Sequence, residues 1–197
     1  MMKRHLVNPA INWRIQWLGV VPTLFFLVHF GFHWKSGTPG NGLWMCNASS
    51  AALGIGMMCR IPILIRVATI WLIPGLPLWI YDAIRYGMGP ATTILEHIGG
   101  VVVGLYALHH IRACRWMWLQ GIGWFLFIQQ AGRWLTDPKL NVNTAHFPHA
   151  SVAKSFPVYW HYWLASIGVV VISMWLLSWL LNRIFPDTQN EELRMKN

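Results

Sequence analysis

The chain has 197 residues, of which 55% are hydrophobic and only 11% charged, with 14 tryptophans and a formal net charge of +9. Such a composition excludes an ordinary soluble core and fits a membrane protein. The surplus Lys and Arg form no basic domain apart from the apolar runs, which argues against a nucleic-acid partner and for a surface facing anionic lipid.

Six apolar runs are predicted as membrane helices, taking about 17–25 residues as the length that crosses a bilayer. They cover residues 15–32, 43–58, 63–81, 97–108, 117–134 and 159–184. The first is too long, and its flanks too bulky, for a cleaved signal peptide. The third carries Pro74 and Pro77, which predict a kink. The fourth is long enough only if it begins near Thr93 and continues to Ile111. The expected organisation is a basic N-terminal segment (1–14), a compact all-α bundle of six transmembrane helices (15–184) with an outer loop at 136–156, and a polar tail (185–197).

Lys and Arg set the orientation. The side holding both termini carries Lys3, Arg4, Arg14, Arg60, Arg66, Arg112, Arg115, Arg183, Arg194 and Lys196. The opposite side carries Lys35, Arg85, Arg133, Lys139 and Lys154. Ten against five predicts cytoplasmic termini and a multi-pass protein of the bacterial inner (plasma) membrane.

With directions assigned, most intramembrane polar residues fall at the outer face. They are His29 and His33 in the first run, Cys46 and Asn47 in the second, Glu96 and His97 in the fourth, and Gln129, Gln130 and Arg133 in the fifth. The outer loop adds Asn141, Asn143, His146 and His149. Ionisable groups are costly in lipid, so a set from several spans at one depth marks a binding or reaction chamber. Cys46, Ser49, Ser50 and Leu53 share one helical face, and Gly100 and Gly104 form a small-xxx-small packing pattern. Cys59 and Cys114 fit no disulfide or zinc spacing.

The stretch Leu43-Trp44-Met45-Cys46-Asn47-Ala48-Ser49-Ser50 resembles the Leu-His-x-Cys segment of the YwaF-like integral membrane protein family, bacterial relatives of the vertebrate acyltransferase transmembrane protein 164. Leu95-Glu96-His97-Ile98-Gly99 is similar to that family's Ser-His-Gly motif at a helix start. Trp134-Leu135, Asn141-Val142-Asn143 and Phe156-Pro157-Val158-Tyr159-Trp160 resemble its Asn-Trp-Leu, Asn-Tyr and Pro-Trp-Tyr ending. Order and approximate spacing agree over about residues 40–184. The chain departs from the pattern at Trp44, Glu96 and Thr144, where the family has His, Ser and Tyr.

The resemblance implies a six-helix bundle and acyl transfer between membrane phospholipids, with Cys46 and His97 as the reacting pair. Chemically, the imidazole would deprotonate the thiol, a thioester would form on Cys46, and the proton would return to the leaving group. Asn47, Ser49, Ser50 or Asn143 would steady the oxyanion, Glu96 would lie beside the base, and Arg133, with Gln129 and Gln130, would hold the lipid headgroup. No cofactor is called for. Two other classes remain open from the sequence. One is a His-ligated metal-binding protein or oxidoreductase using His29, His33, His97, His146 and His149. The other is a non-catalytic accessory subunit whose apolar helices meet partner subunits of a larger membrane complex.

Overall fold

The computed structural model describes residues 13–87 and 89–186. Most of the predicted N-terminal segment and polar tail lies outside these residues. Among the described residues every regular element is helical. The principal helices are α1 (Trp13–Leu18), α2 (Val20–Lys35), α3 (Met45–Met58), α4 (Pro62–Tyr86), α5 (Thr92–Ile94), α6 (Gly100–Ile111), α7 (Met117–Leu135) and α8 (Tyr159–Ile184).

Among the described residues four stretches are long and apolar enough to cross a membrane: Ile15–Lys35, Pro62–Arg85, Thr92–Ile111 and Tyr159–Ile184. The chain is therefore built as a membrane protein. Two of the six predicted spans fall outside this set. Helix α3 has 14 residues, which at 1.5 Å per residue is only about 21 Å long. Helix α7 has 19 residues, but Gln120, Gln129, Gln130 and Arg133 dilute its apolar character.

Helix α4 is the centre of the bundle and packs on α3, α6 and α7. Pro62 opens it at a position where a missing N–H costs nothing. Gly87, at φ +94°, ends it in backbone that a side chain would strain. Pro74 and Pro77 lie within a continuous helix. The fourth predicted run does extend as its length required: α5 leads through Leu95–Gly99 into α6, ending at Ile111.

Lipid removes the water that drives apolar side chains together, so close van der Waals contact carries the association of helices. The small residues serve this. A Cβ on Gly54 would collide with Thr23 and the Gly19 carbonyl of the neighbouring helix. One on Gly104 would lie 2.9 Å from Thr69 Oγ1, and one on Gly100 would lie 3.2 Å from Leu72 and 3.4 Å from Ser50 Oγ. The predicted Gly100/Gly104 pattern is thus the seam between α6 and its neighbours α3 and α4.

The two ends of the bundle are tied differently. At one end Arg66 donates to the carbonyls of Arg112 and Ile111, at 3.0 and 3.3 Å, satisfying the last turn of α6. Asn182 donates to the Cys114 carbonyl at the same end. The opposite end holds nearly all of the predicted site residues.

Candidate functional site

The segment Leu95–Gly99 is a π-helical turn between α5 and α6. Such single turns insert an extra residue into a helix and recur at functional sites. Here the turn carries Glu96 and His97 and brings both into the bundle, where Glu96 is 0% and His97 6% exposed.

Neither carboxylate oxygen of Glu96 has a hydrogen-bond partner. Its nearest titratable neighbour is His29 on α2, with Nε2 3.6 Å from Oε2, and His29 itself is 3% exposed. A buried carboxylate without a counter-charge or a proton is very costly. One proton therefore has to lie on one side or the other of this contact.

From His29 a run of side chains leads towards the surface. His29 Nε2 lies 3.1 Å from Nε2 of His33, one turn along α2, as their i, i+4 spacing predicts. His33 Nδ1 lies 3.5 Å from the Asn41 amide nitrogen. The Trp44 indole donates to Asn41 Oδ1 at 3.2 Å. An indole only donates, so Asn41 must turn its oxygen to Trp44 and its NH2 to His33. That makes His33 Nδ1 an acceptor and His33 Nε2 the N–H donor to His29. His29 Nε2 then carries a lone pair, and its Nδ1–H donates to Thr92 Oγ1 at 2.8 Å. One indole orientation fixes two tautomers in turn.

His97 has different partners. Its Nδ1 lies 2.9 Å from the Thr93 carbonyl. A carbonyl only accepts, so Nδ1 bears the hydrogen and Nε2 keeps the lone pair. The ring stacks on Trp79 of α4, with centroids 5.1 Å apart and planes 18° from parallel. Cys46 is half-buried and free, and its thiol donates to Asn47 Oδ1 at 3.4 Å. A Cβ on Gly75, one turn before Trp79 in α4, would lie 3.8 Å from Cys46 Cβ. Cys46 and His97 therefore rest against successive turns of one α4 face, and Glu96 is within electrostatic reach of the thiol. One turn deeper, Ser50 lies against Gly100, and its hydroxyl is buried without a partner.

Asn47 and Asn143 are structural ties as well as site neighbours. Asn47 Nδ2 donates to the Asn41 carbonyl at 2.8 Å. Asn143 accepts from Met45 N–H at 2.8 Å and donates to the Leu43 carbonyl at 2.7 Å. Helix α3 begins at Trp44 without a side-chain cap of its own. Asn143 supplies one from the 136–156 loop, satisfying an otherwise orphaned first-turn N–H.

Gln129, 1% exposed, accepts from the Trp163 indole at 2.8 Å and reaches the Asn143 carbonyl at 3.5 Å. Gln130 is half-buried beside it. Arg133 spreads over the rings of Tyr159 and Trp160, at 5.4 and 5.7 Å. An apolar groove of about 310 Å³ opens next to these residues, lined by Phe125, Thr144, Phe156, Tyr162 and Val169 among others.

The histidines divide into groups. His29 and His33 touch. In the 136–156 loop, His149 bonds the Ser151 hydroxyl, and His146 has a buried Nε2 without a partner. Among the described residues no three His, Cys, Asp or Glu side chains are grouped to hold a metal ion. The sequence alone did not single out Asn41, Thr92 and Trp79, which orient His33, His29 and His97. The only signals for them were a polar residue between glycines in Gly40-Asn41-Gly42, a Thr pair ahead of Glu96, and a Trp amid many.

No family model, curated protein or solved structure matches the chain.

Proposed function

We propose that this is a multi-pass inner-membrane protein with six spans and cytoplasmic termini, acting on the acyl groups of phospholipids from a chamber near the outer leaflet. The observation that carries the chemistry is the fixed tautomer of His97. Its Nδ1–H is committed to the Thr93 carbonyl, so Nε2 is available as a base, one α4 turn from Cys46.

In the proposed reaction the Cys46 proton passes to His97 Nε2 as sulfur attacks an ester carbonyl. The S–C bond forms, the ester C–O bond breaks, and His97 returns the proton to the leaving oxygen. A hydroxyl of a second lipid, or water, then attacks the thioester and releases Cys46 as thiol. Ser50 offers an unused hydroxyl close to the pair. The apolar groove beside Phe125 suits an acyl chain, and Arg133 on the aromatic shelf of Tyr159 and Trp160 suits a lipid phosphate. The sequence resemblance to the YwaF-like proteins supports the same assignment. Helices α3 and α7 would complete six spans, the short α3 being sheltered from lipid by α2 and α4 on either side.

The test is incubation of the purified full-length protein with phospholipid carrying a labelled acyl chain. Label should appear on Cys46 as a hydroxylamine-labile thioester and vanish in Cys46→Ser, with the variant still folded. Full acyl turnover by Cys46→Ser would overturn the thiol mechanism.

A further inference from the structure

Acyl transfer through Cys46 and His97 has no use for His29, His33 or a buried Glu96, yet these are the most tightly arranged titratable groups in the bundle. The geometry points to a proton relay from the His33 end of the bundle to the Glu96 carboxylate, a function separate from the acyl chemistry and valid whether or not Cys46 takes an acyl group.

The relay runs through three side chains. His33 is half-buried at its entrance, with Asn41 against Nδ1. His33 Nε2 faces His29 Nε2 at 3.1 Å, and His29 Nε2 faces Glu96 Oε2 at 3.6 Å. With Glu96 discharged at high external pH, a proton taken from the medium at His33 Nδ1 displaces the Asn41 amide and forms an N–H bond there. The Nε2–H bond of His33 then breaks as its proton moves to the lone pair of His29 Nε2. A tilt of the His29 ring turns this N–H from His33 to Glu96 Oε2, and the proton passes across, forming the carboxylic acid and restoring the His29 lone pair. His33 is left as its other neutral tautomer and resets by rotation of the ring. One proton enters and one O–H bond is made. The reverse sequence discharges it.

Two features separate this from an incidental polar seam. A seam would satisfy its members, whereas both Glu96 oxygens are buried and unpartnered. The carboxylate is also carried on a π-helical turn, a helix irregularity frequent at functional sites. The titratable groups facing the relay are His29 from α2, Cys46 from α3, and His97 beside Glu96; His29 is in electrostatic reach of both His33 and His97. From α4 the turn meets Trp79, which stacks on His97 and does not titrate. Among the described residues Glu96 forms no ion pair with any Lys or Arg. Intramembrane Glu–His chains of this kind are the usual substance of proton paths.

The test is infrared spectroscopy of the full-length protein in lipid nanodiscs during a rapid downward pH jump. A carboxylic-acid C=O band should grow in the wild type and be missing in Glu96→Gln. In His33→Phe the band should grow at least about 100-fold more slowly, the low end of what one positioned acid–base group contributes. Added imidazole should restore the rate in His33→Ala. A band that persists in Glu96→Gln, one that ignores external pH, or one that grows at the wild-type rate in His33→Phe would each overturn the relay. The readout uses no substrate, so a failure of the relay and a failure of the acyl-transfer proposal are distinguishable.

Discussion

His29 Nε2 lies 3.6 Å from Glu96 Oε2, both side chains being buried. The contact therefore needs a proton, and each residue makes the other tolerable. His29→Ala is expected to destabilise the protein by about 3–5 kcal/mol, the cost of removing one partner from a buried ionisable pair. Glu96→Gln is expected to be neutral or stabilising, because it removes the group that needs a partner. The double variant should recover about 2 kcal/mol relative to the sum of the singles. Thermal unfolding in detergent, followed by tryptophan fluorescence, measures all three. Strict additivity would mean that the two side chains do not interact.

Asn143 supports this end of the bundle by a different mechanism. Its amide joins the 136–156 loop to the start of α3 through two bonds, to residues 98 and 100 positions away. Its backbone sits at φ +51°, a region Asn tolerates better than most residues. Asn143→Ala is expected to cost about 2–4 kcal/mol, since two half-buried backbone groups lose their partner. Asn143→Asp should also destabilise, because a carboxylate can accept from Met45 N–H but turns an acceptor towards the Leu43 carbonyl. A wild-type unfolding midpoint for Asn143→Asp would show that the Leu43 bond contributes nothing.

The gathering of polar residues at one end of the bundle was legible in the sequence because such residues are expensive in lipid. Glu96 and His97 stand out in an apolar run, and the i, i+4 spacing of His29 and His33 already implies contact. The Gly100/Gly104 seam was legible for the same local reason. What the sequence withheld depends on distant or generic residues. Nothing local announces that Asn143 caps α3, that Asn41 sets the tautomers, or that Leu95–Gly99 winds as a π turn. The span count was blurred by α3 and α7, where small and polar packing residues shorten or dilute the apolar signal.

Gly54 tests the packing principle. Its position is occupied by Thr23 and the Gly19 carbonyl, and a carbonyl on a packed helix cannot yield as a flexible side-chain tip can. Gly54→Val is expected to cost about 3 kcal/mol or more through overpacking. Gly123, with open space around its Cβ position, is the control. Gly123→Ala should leave the protein intact or stabilise it by up to about 1 kcal/mol through helix propensity. Equal effects at the two sites would remove close helix approach as the basis of the seam.

The proposed orientation is open to test by labelling. Cys59 is exposed and lies beside Arg60, on the face proposed to be cytoplasmic. Ser151 is exposed in the loop proposed to be outside. A membrane-impermeant maleimide should label Ser151→Cys in intact cells, but Cys59 only after the membrane is opened. The reverse pattern would invert the topology and turn the chamber to the cytoplasm.

The locked tautomer of His97 separates its role from that of the thiol. Because Nδ1–H is held by a backbone carbonyl, no side-chain substitution on α5 can reverse which nitrogen is the base. His97→Gln keeps a polar group near Thr93 but loses the basic nitrogen. It should therefore lower acyl turnover by about 10²–10⁴-fold while leaving the unfolding midpoint close to wild type. Trp79→Phe should do far less, because it preserves an aromatic surface under the ring; Trp79→Ala should lower turnover by freeing the imidazole from its 18° stack. If instead the His97→Gln and Trp79→Ala variants unfold early and retain their turnover per folded molecule, His97 is a packing residue and the base lies elsewhere.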